Sequence, residues 1–107
     1  TAGRLTVEQI RETAARADWL QPASVVVLEN THRSSGGRVW PLDELAAVAT
    51  AARELSLGVH LDGARLLNAQ VASGVPAAAF GCLADTVTLC FSKGLGCPLG
   101  AVFAGST

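Results

Sequence analysis

Lysine is almost absent from this sequence, and that scarcity excludes several kinds of partner. Lys93 is the one lysine, and with the arginines it makes eight basic residues against nine acidic ones, for a formal net charge of −1. Binding to nucleic acid or to an anionic membrane requires a clustered basic excess, so we expect neither partner. Apolar runs are short as well: the longest, 25–28 and 45–49, fall far below the roughly 20 residues that cross a bilayer. We therefore expect a soluble chain.

Cysteine occurs three times, and the positions exclude a common class of metal and redox sites. Cys82, Cys90 and Cys97 are odd in number and contain no CxxC pair, so neither a zinc site nor a dithiol site of that kind is expected. Free cysteines are among the most frequently buried residues, so we expect three buried, reduced thiols. No basic segment leads into an apolar stretch at the start of the sequence, and a cytoplasmic location fits both observations.

Methionine is missing altogether, and this affects how the length is interpreted. The 107 residues suit one domain at most. The sequence starts at Thr1 and stops soon after an apolar run that has the pattern of a central strand. We therefore expect an interior piece of a longer protein.

Helical patterns occur at three places in the chain. Apolar residues at helical spacing predict a helix over 6–20, with Thr6 as its N-cap. A second helix is predicted to begin at Pro41 and to end with Gly58 as its C-cap. A third, shorter helix is predicted over 65–72.

Short apolar runs between these helices predict the strands, at 25–28, 59–61, 86–91 and 99–104. The first run is continuous, which is the pattern of a strand buried on both faces. Strands separated by helices of this length imply βαβ units, so the predicted fold class is α/β, a mainly parallel sheet with crossover helices. The last run follows its predecessor too closely for a crossover and is expected to pair antiparallel or to cap the edge of the sheet.

Polar residues follow three of the predicted strands, at 30–32, 62–65 and 92–94. The carboxyl ends of parallel strands lie at one edge of a sheet, so these residues are expected to converge on one crevice. Asp62 would be costly to bury there without a cation or a protonated donor, and Arg65 is the nearest candidate in the sequence. Alternatively, Asp62 only caps the helix that follows.

Lys93 leaves an apolar strand and enters a glycine-rich loop, 94–100. A lysine that is partly buried there would favour the neutral amine that a nucleophile needs. Alternatively, its side chain extends to solvent or pairs with Asp85. The loop matches neither GxGxxG nor GxxxxGK, so nucleotide binding is not supported.

Three segments in this order resemble those of one enzyme family. Leu28–His32, His60–Leu66 and Ser92–Gly100 are similar to segments of the low-specificity L-threonine aldolases, which are pyridoxal phosphate enzymes of fold type I, the aspartate aminotransferase-like fold. The resemblance extends over nearly the whole chain from about residue 25. It implies that residues 1–107 are part of the large cofactor-binding domain, without the N-terminal part of that domain and without the C-terminal small domain.

The resemblance also implies roles for individual residues. Lys93 would be the catalytic lysine that forms the Schiff base with pyridoxal 5'-phosphate, and Asp62 would bind the pyridinium nitrogen of the cofactor. Arg65 would lie beside the cofactor and bind the substrate carboxylate, with the small Ala64 against the ring. No metal is implied.

Residues 30–32 follow the first strand, and their roles are less defined. Asn30 and Thr31 would lie near the site without an assigned role. His32 is more simply a histidine of a solvent-facing loop, because serine and glycine follow it. The base for the β-hydroxyl proton is not identifiable from the sequence.

The activity implied is retro-aldol cleavage of a small β-hydroxy amino acid, L-threonine or L-allo-threonine, to glycine and acetaldehyde. The full-length enzyme would be a homodimer or homotetramer, and the 107 residues alone would be inactive. Two alternatives stay open: another pyridoxal phosphate lyase of the same fold, or a truncated, non-catalytic remnant. Retention of Asp62 and Lys93 argues against the remnant, since arginine replaces lysine everywhere else in the sequence but cannot form a Schiff base.

Overall fold

A computed structural model describes residues 3–16 and 22–106, which form one four-stranded sheet with helices between its strands. The strands are β1 (Val25–Glu29), β2 (Gly58–Asp62), β3 (Thr86–Cys90) and β4 (Ala101–Gly105). The helices are α1 (Val7–Arg16), α2 (Leu42–Glu54), α3 (Leu66–Ser73) and α4 (Ala77–Gly81), with a 3₁₀ turn at Arg33–Ser35. Within the described ranges, no helix is long and apolar enough to cross a membrane.

The strands lie in chain order, β1-β2-β3-β4. β1 and β2 are parallel, β2 and β3 are parallel, and β4 pairs antiparallel with β3. The connection between β3 and β4, residues 91–100, is too short for a crossover, so β4 can only return beside its predecessor. The predicted α/β class, with a mainly parallel sheet, is confirmed.

One face of the sheet carries the hydrophobic core. Val26, Leu28, Val59 and Leu61 alternate inward along β1 and β2 and are buried. They pack in one cluster with residues of α2, α3 and α4, among them Leu45, Ala49, Ala69 and Phe80. Burial of side chains of this size is the main favourable term in folding, at roughly 1.5–3 kcal/mol for each large one.

The opposite face of β1 is open, which corrects the expectation that this strand is buried on both faces. Val25 is 54% and Val27 58% exposed. Their side chains alternate with Val26 and Leu28 and therefore point away from the layer that α2, α3 and α4 form. The apolar run therefore predicts the strand correctly, but only one face of the strand is buried in this chain.

The helices differ from the predictions in where they end and in number. α1 was predicted to reach residue 20, and positions 17–20 lie outside the described residues. α2 ends at Glu54, and Gly58 is the first residue of β2, so it is not the C-cap. Ser56, with φ +58°, takes the left-handed position instead. α4 was not predicted, because its five residues are too few for a periodic pattern.

The cysteines also differ from the prediction. Cys82 and Cys97 are exposed and Cys90 is partly buried, and all three are free thiols. Cys82 follows α4 and Cys97 lies in the loop after β3, both outside the core cluster. The expectation of three buried thiols is wrong for this chain.

Thr6 caps α1 as predicted, and reciprocal hydrogen bonds fix the start of this helix. The Thr6 hydroxyl accepts the Gln9 N–H at 3.2 Å, and the Gln9 side chain accepts the Thr6 N–H at 3.0 Å, which is a capping box. The backbone N–H of Glu8, and after it the Thr6 hydroxyl, lower the pKa of the Glu8 carboxyl. The stabilisation from ionised Glu8 is therefore lost only as pH falls through that lowered pKa.

Thr6→Ala removes this cap and is expected to lower the free energy of unfolding by about 1 kcal/mol. Urea denaturation followed by circular dichroism measures the change. Thr6→Ser keeps the hydroxyl and should retain most of the stability. Equal losses in both variants would contradict a role for the hydroxyl.

Candidate functional site

The carboxyl edge of the parallel strands brings together the three segments that the sequence singled out. Glu29 and Asp62 end β1 and β2 and are register partners. Lys93 follows the end of β3 by three residues. The Asn30 N–H donates to the Asp62 carbonyl at 3.1 Å, which extends the pairing of the two strands by one residue. Asn30 and Thr31 are buried beside this pairing.

Asp62 is half-buried, and within residues 3–16 and 22–106 only one of its two carboxylate oxygens accepts a hydrogen bond. Its Oδ1 accepts the Ala64 N–H at 3.0 Å, which closes a turn before α3. The N-cap position of α3 is Arg65, so Asp62 stabilises the turn and does not cap the helix. Among the described residues, Oδ2 has no hydrogen-bond partner. One oxygen therefore fixes the side chain while the other remains free to accept a hydrogen bond.

Gly63 allows this turn to lie directly on the neighbouring strand. Its N–H donates to the Thr88 carbonyl at 2.8 Å. A Cβ at this position would lie 2.7 Å from the same carbonyl oxygen, closer than a side chain can approach. The close contact explains why glycine follows Asp62, and it holds the Asp62 backbone against β3.

A cavity of about 380 Å³ opens beside Asp62. Glu29 and His32 line it from the end of β1, and Arg4 lines it from the segment before α1. Its volume is within the range of small-molecule sites, roughly 300 to 1,000 Å³. Two acidic residues, a histidine and an arginine thus line one concave site, and the Arg4 guanidinium is itself paired with Glu44 at 2.7 Å.

Arg65 pairs with Glu29, not with Asp62 as the sequence suggested. Its Nη1 lies 3.9 Å from Glu29 Oε1. The same carboxylate oxygen accepts the Arg33 N–H at 3.1 Å, and Oε2 lies 3.8 Å from His32 Nε2. Glu29, which the sequence analysis did not single out, is therefore the anion on which an arginine and a histidine converge.

His32 lines this cavity, whereas the sequence analysis placed it in a solvent-facing loop. Its side chain is only 25% exposed and lines the same cavity as Asp62. The loop folds back on itself: the His32 N–H donates to the Arg38 carbonyl at 3.0 Å, and the Gly37 N–H donates to the His32 carbonyl at 3.0 Å. Gly36 and Gly37 have φ of +80° and +77°, so the glycines that suggested an open loop instead close a tight turn.

Lys93 is exposed in this chain, so the expected partial burial is not observed. Its Nζ donates to Cys90 Sγ at 3.7 Å. The alternative pairing with Asp85 is also not observed: Asp85 lies before the start of β3, where it accepts the Val59 N–H at 2.7 Å and lies 4.0 Å from Arg53. Within the described residues, the Lys93 amine has no carboxylate partner and is available at the edge where Asp62 lies.

Comparison with known proteins gives consistent matches. The family model described as beta-eliminating lyase matches residues 1–107. A probable low-specificity L-threonine aldolase 2 of Arabidopsis thaliana is 44% identical over 82 residues, which are 77% of this chain and 23% of that protein. The crystal structure of a putative L-allo-threonine aldolase from Listeria monocytogenes is 32% identical with a TM-score of 0.81, over 98% of this chain and 28% of that one.

A more distant structure shares the fold. The C-S lyase of Staphylococcus hominis, solved with bound PLP, is 16% identical with a TM-score of 0.69, over 100% of this chain and 28% of that one. The expected aspartate aminotransferase-like fold is therefore confirmed. The chain spans about a quarter of the length of the relatives that it matches.

Proposed function

The chain belongs to the beta-eliminating lyase family, and we propose that it forms part of the cofactor-binding large domain of an L-threonine aldolase. The reaction is cleavage of L-threonine or L-allo-threonine to glycine and acetaldehyde. The observation that supports it is the pair of groups at one sheet edge, the Asp62 carboxylate and the Lys93 amine, at the ends of neighbouring parallel strands. The dimeric or tetrameric assembly stays a prediction from the family resemblance, and the cytoplasmic location stays a prediction from the cysteines and the start of the sequence.

The residues at this edge fit pyridoxal phosphate. Asp62 offers a free carboxylate oxygen beside a cavity of about 380 Å³, which suits the N–H of a protonated pyridine ring. Lys93 offers a primary amine, the group that reacts with the cofactor aldehyde. When bound, the cofactor supplies an electron sink for the pair left on the α-carbon of an amino acid.

The proposal gives two further residues a role toward the substrate. Arg65 presents a guanidinium that Glu29 holds at 3.9 Å, and such a group binds a carboxylate with two parallel hydrogen bonds. His32 lines the cavity beside Asp62, and a neutral imidazole at that place can accept the β-hydroxyl proton of threonine. We assign the substrate carboxylate to Arg65 and the proton to His32.

The test is the product pattern of the full-length protein with added pyridoxal phosphate. L-Threonine or L-allo-threonine should yield glycine and acetaldehyde in equal amounts. Pyruvate from serine or cysteine, without acetaldehyde from threonine, would indicate a different lyase of the same fold, and no product from any of them would indicate a remnant. Residues 1–107 alone should bind the cofactor weakly and produce nothing.

A further inference from the structure

The hydroxyl of Ser35 contacts two atoms of His32. It donates to the His32 carbonyl oxygen at 3.2 Å, and it lies 2.9 Å from His32 Nδ1. A hydroxyl has a single hydrogen, so Ser35 donates in one of these two contacts only; when the carbonyl receives the hydrogen, Nδ1 is the donor in the other contact. This arrangement is compatible with the Nδ1–H form of neutral His32, in which the ring donates to the Ser35 hydroxyl.

This tautomer leaves a lone pair on Nε2, on the side of Glu29. Nε2 and Glu29 Oε2 are 3.8 Å apart, which is too far for a hydrogen bond but close for two charges. Glu29 is held in place by the Arg33 N–H and by Arg65. Once Nε2 takes up a proton, the resulting cation faces a fixed carboxylate.

The turn that contains Ser35 is packed so that hydroxyl and ring stay together. Ser35 ends the 3₁₀ turn, and the Gly36 N–H closes that turn on the Arg33 carbonyl at 3.0 Å. Gly3 covers the pair: a Cβ added there would lie 2.6 Å from Ser35 Cβ and 2.9 Å from His32 Cε1. A ring turned over about its Cβ–Cγ bond would place Cδ2 against the Ser35 hydroxyl and lose the contact that Nδ1 makes with it.

We propose that Ser35 is a positioning residue, which fixes His32 as the Nδ1–H tautomer so that Nε2 accepts the β-hydroxyl proton of the substrate. This inference rests on the proposed function. In the step, the hydroxyl O–H bond breaks, the proton forms a bond with Nε2, and the O–H electron pair becomes the second bond of the acetaldehyde carbonyl. The Cα–Cβ bond breaks at the same time, and its electron pair remains on Cα. Glu29 stabilises the imidazolium that results.

The tautomer is tested by nitrogen-15 NMR of histidine-labelled full-length protein without cofactor or substrate. The His32 signals are assigned by their loss in His32→Gln, and the parent should show the Nδ1–H pattern. Ser35→Ala should shift the ratio of the two neutral forms toward Nε2–H by about fivefold, the effect of one lost hydrogen bond. Ser34→Ala, which removes the neighbouring exposed hydroxyl, is the matched control and should change nothing. His60, whose ring nitrogens contact Thr86 and Thr88, serves as an internal reference for an intact fold.

Threonine cleavage by the same variants tests the role in catalysis. Ser35→Ala should lower kcat by up to about fivefold, because the share of the Nδ1–H form cannot fall by more than the tautomer ratio changes. The KM for threonine should stay within about twofold of the parent value, since Ser35 does not touch the substrate carboxylate. A shift in tautomer without a fall in kcat would overturn the proposal, and so would an unchanged tautomer in Ser35→Ala. If the parent protein does not cleave threonine, both the proposed function and the catalytic role of His32 are wrong. The NMR experiment is independent of cleavage, so it still shows whether Ser35 sets the tautomer of His32.

Discussion

Replacing Lys93 with arginine is expected to abolish both covalent cofactor binding and threonine cleavage in the full-length protein. Arginine keeps the positive charge and the length of the side chain, but its guanidinium is not deprotonated in proteins and cannot bond to the cofactor aldehyde. We expect kcat to fall by more than about a thousandfold, which corresponds to about 4 kcal/mol in activation free energy. The visible absorbance band that forms when pyridoxal phosphate binds to the parent protein should be missing from Lys93→Arg and from Lys93→Ala.

The scarcity of lysine makes this result easy to assign. Lys93 is the one lysine in the 107 residues, so borohydride reduction of the loaded protein should add the cofactor mass to the peptide that contains it. Arg53→Lys, which changes an exposed arginine on α2, is a control for added amine groups and should not acquire the label. A band that persists in Lys93→Ala, or a label on another peptide, would show that Lys93 is not the attachment point.

The sequence predicted the positions of the main groups of this site because strand ends are local signals. Asp62 and Lys93 each follow a short apolar run, and parallel strands carry whatever follows them to one edge. No long-range information is needed for that inference. The alternation of buried residues along β2 also fixes its register with β1, since a shift of one residue would turn Val59 and Leu61 away from the core.

The sequence did not predict the partners of these groups, because partners depend on the path of the loops. Arg65 is three residues from Asp62 in the chain, but the turn that Gly63 and Ala64 form directs its side chain to Glu29. His32 was placed in solvent because serine and glycine follow it. In the structure, the same glycines close the turn that returns His32 to the cavity.

Burial was the property that sequence patterns predicted least well. Val25 and Val27 have the composition of a strand covered on two faces, and Cys90 has that of a core thiol, yet the first two are exposed and the third is only partly buried. An apolar residue type shows which environment a side chain prefers, whereas its burial depends on which atoms of this chain pack against it.

Asp62→Ala is the second substitution for which we expect a large effect, in this case on cofactor affinity. The free Oδ2 would face a pyridinium N–H, and truncating one member of a hydrogen-bonded charge pair that is shielded from water costs about 2 to 5 kcal/mol. We therefore expect the cofactor Kd to rise by about 30-fold or more and threonine cleavage to be nearly lost. Asp62→Asn separates the two functions of the side chain, because its amide oxygen can still accept the Ala64 N–H while the negative charge is gone. It should keep the stability of the parent protein and lose most of its cofactor affinity.

Asp85→Asn is the matched control, because Asp85 is also a half-exposed aspartate that accepts a backbone N–H, that of Val59 at 2.7 Å. It lies at the amino end of β3, whereas Asp62 lies at the carboxyl edge. Loss of its charge should leave cofactor affinity unchanged, since only the carboxyl edge borders the proposed site. Cofactor titration by absorbance, together with urea denaturation, measures both properties in the three variants. Near-normal cleavage by Asp62→Ala would contradict the electron-sink role of this carboxylate. Equal losses of cofactor affinity in Asp62→Asn and Asp85→Asn would show that removing any aspartate charge from the sheet lowers affinity, whichever edge it lies at.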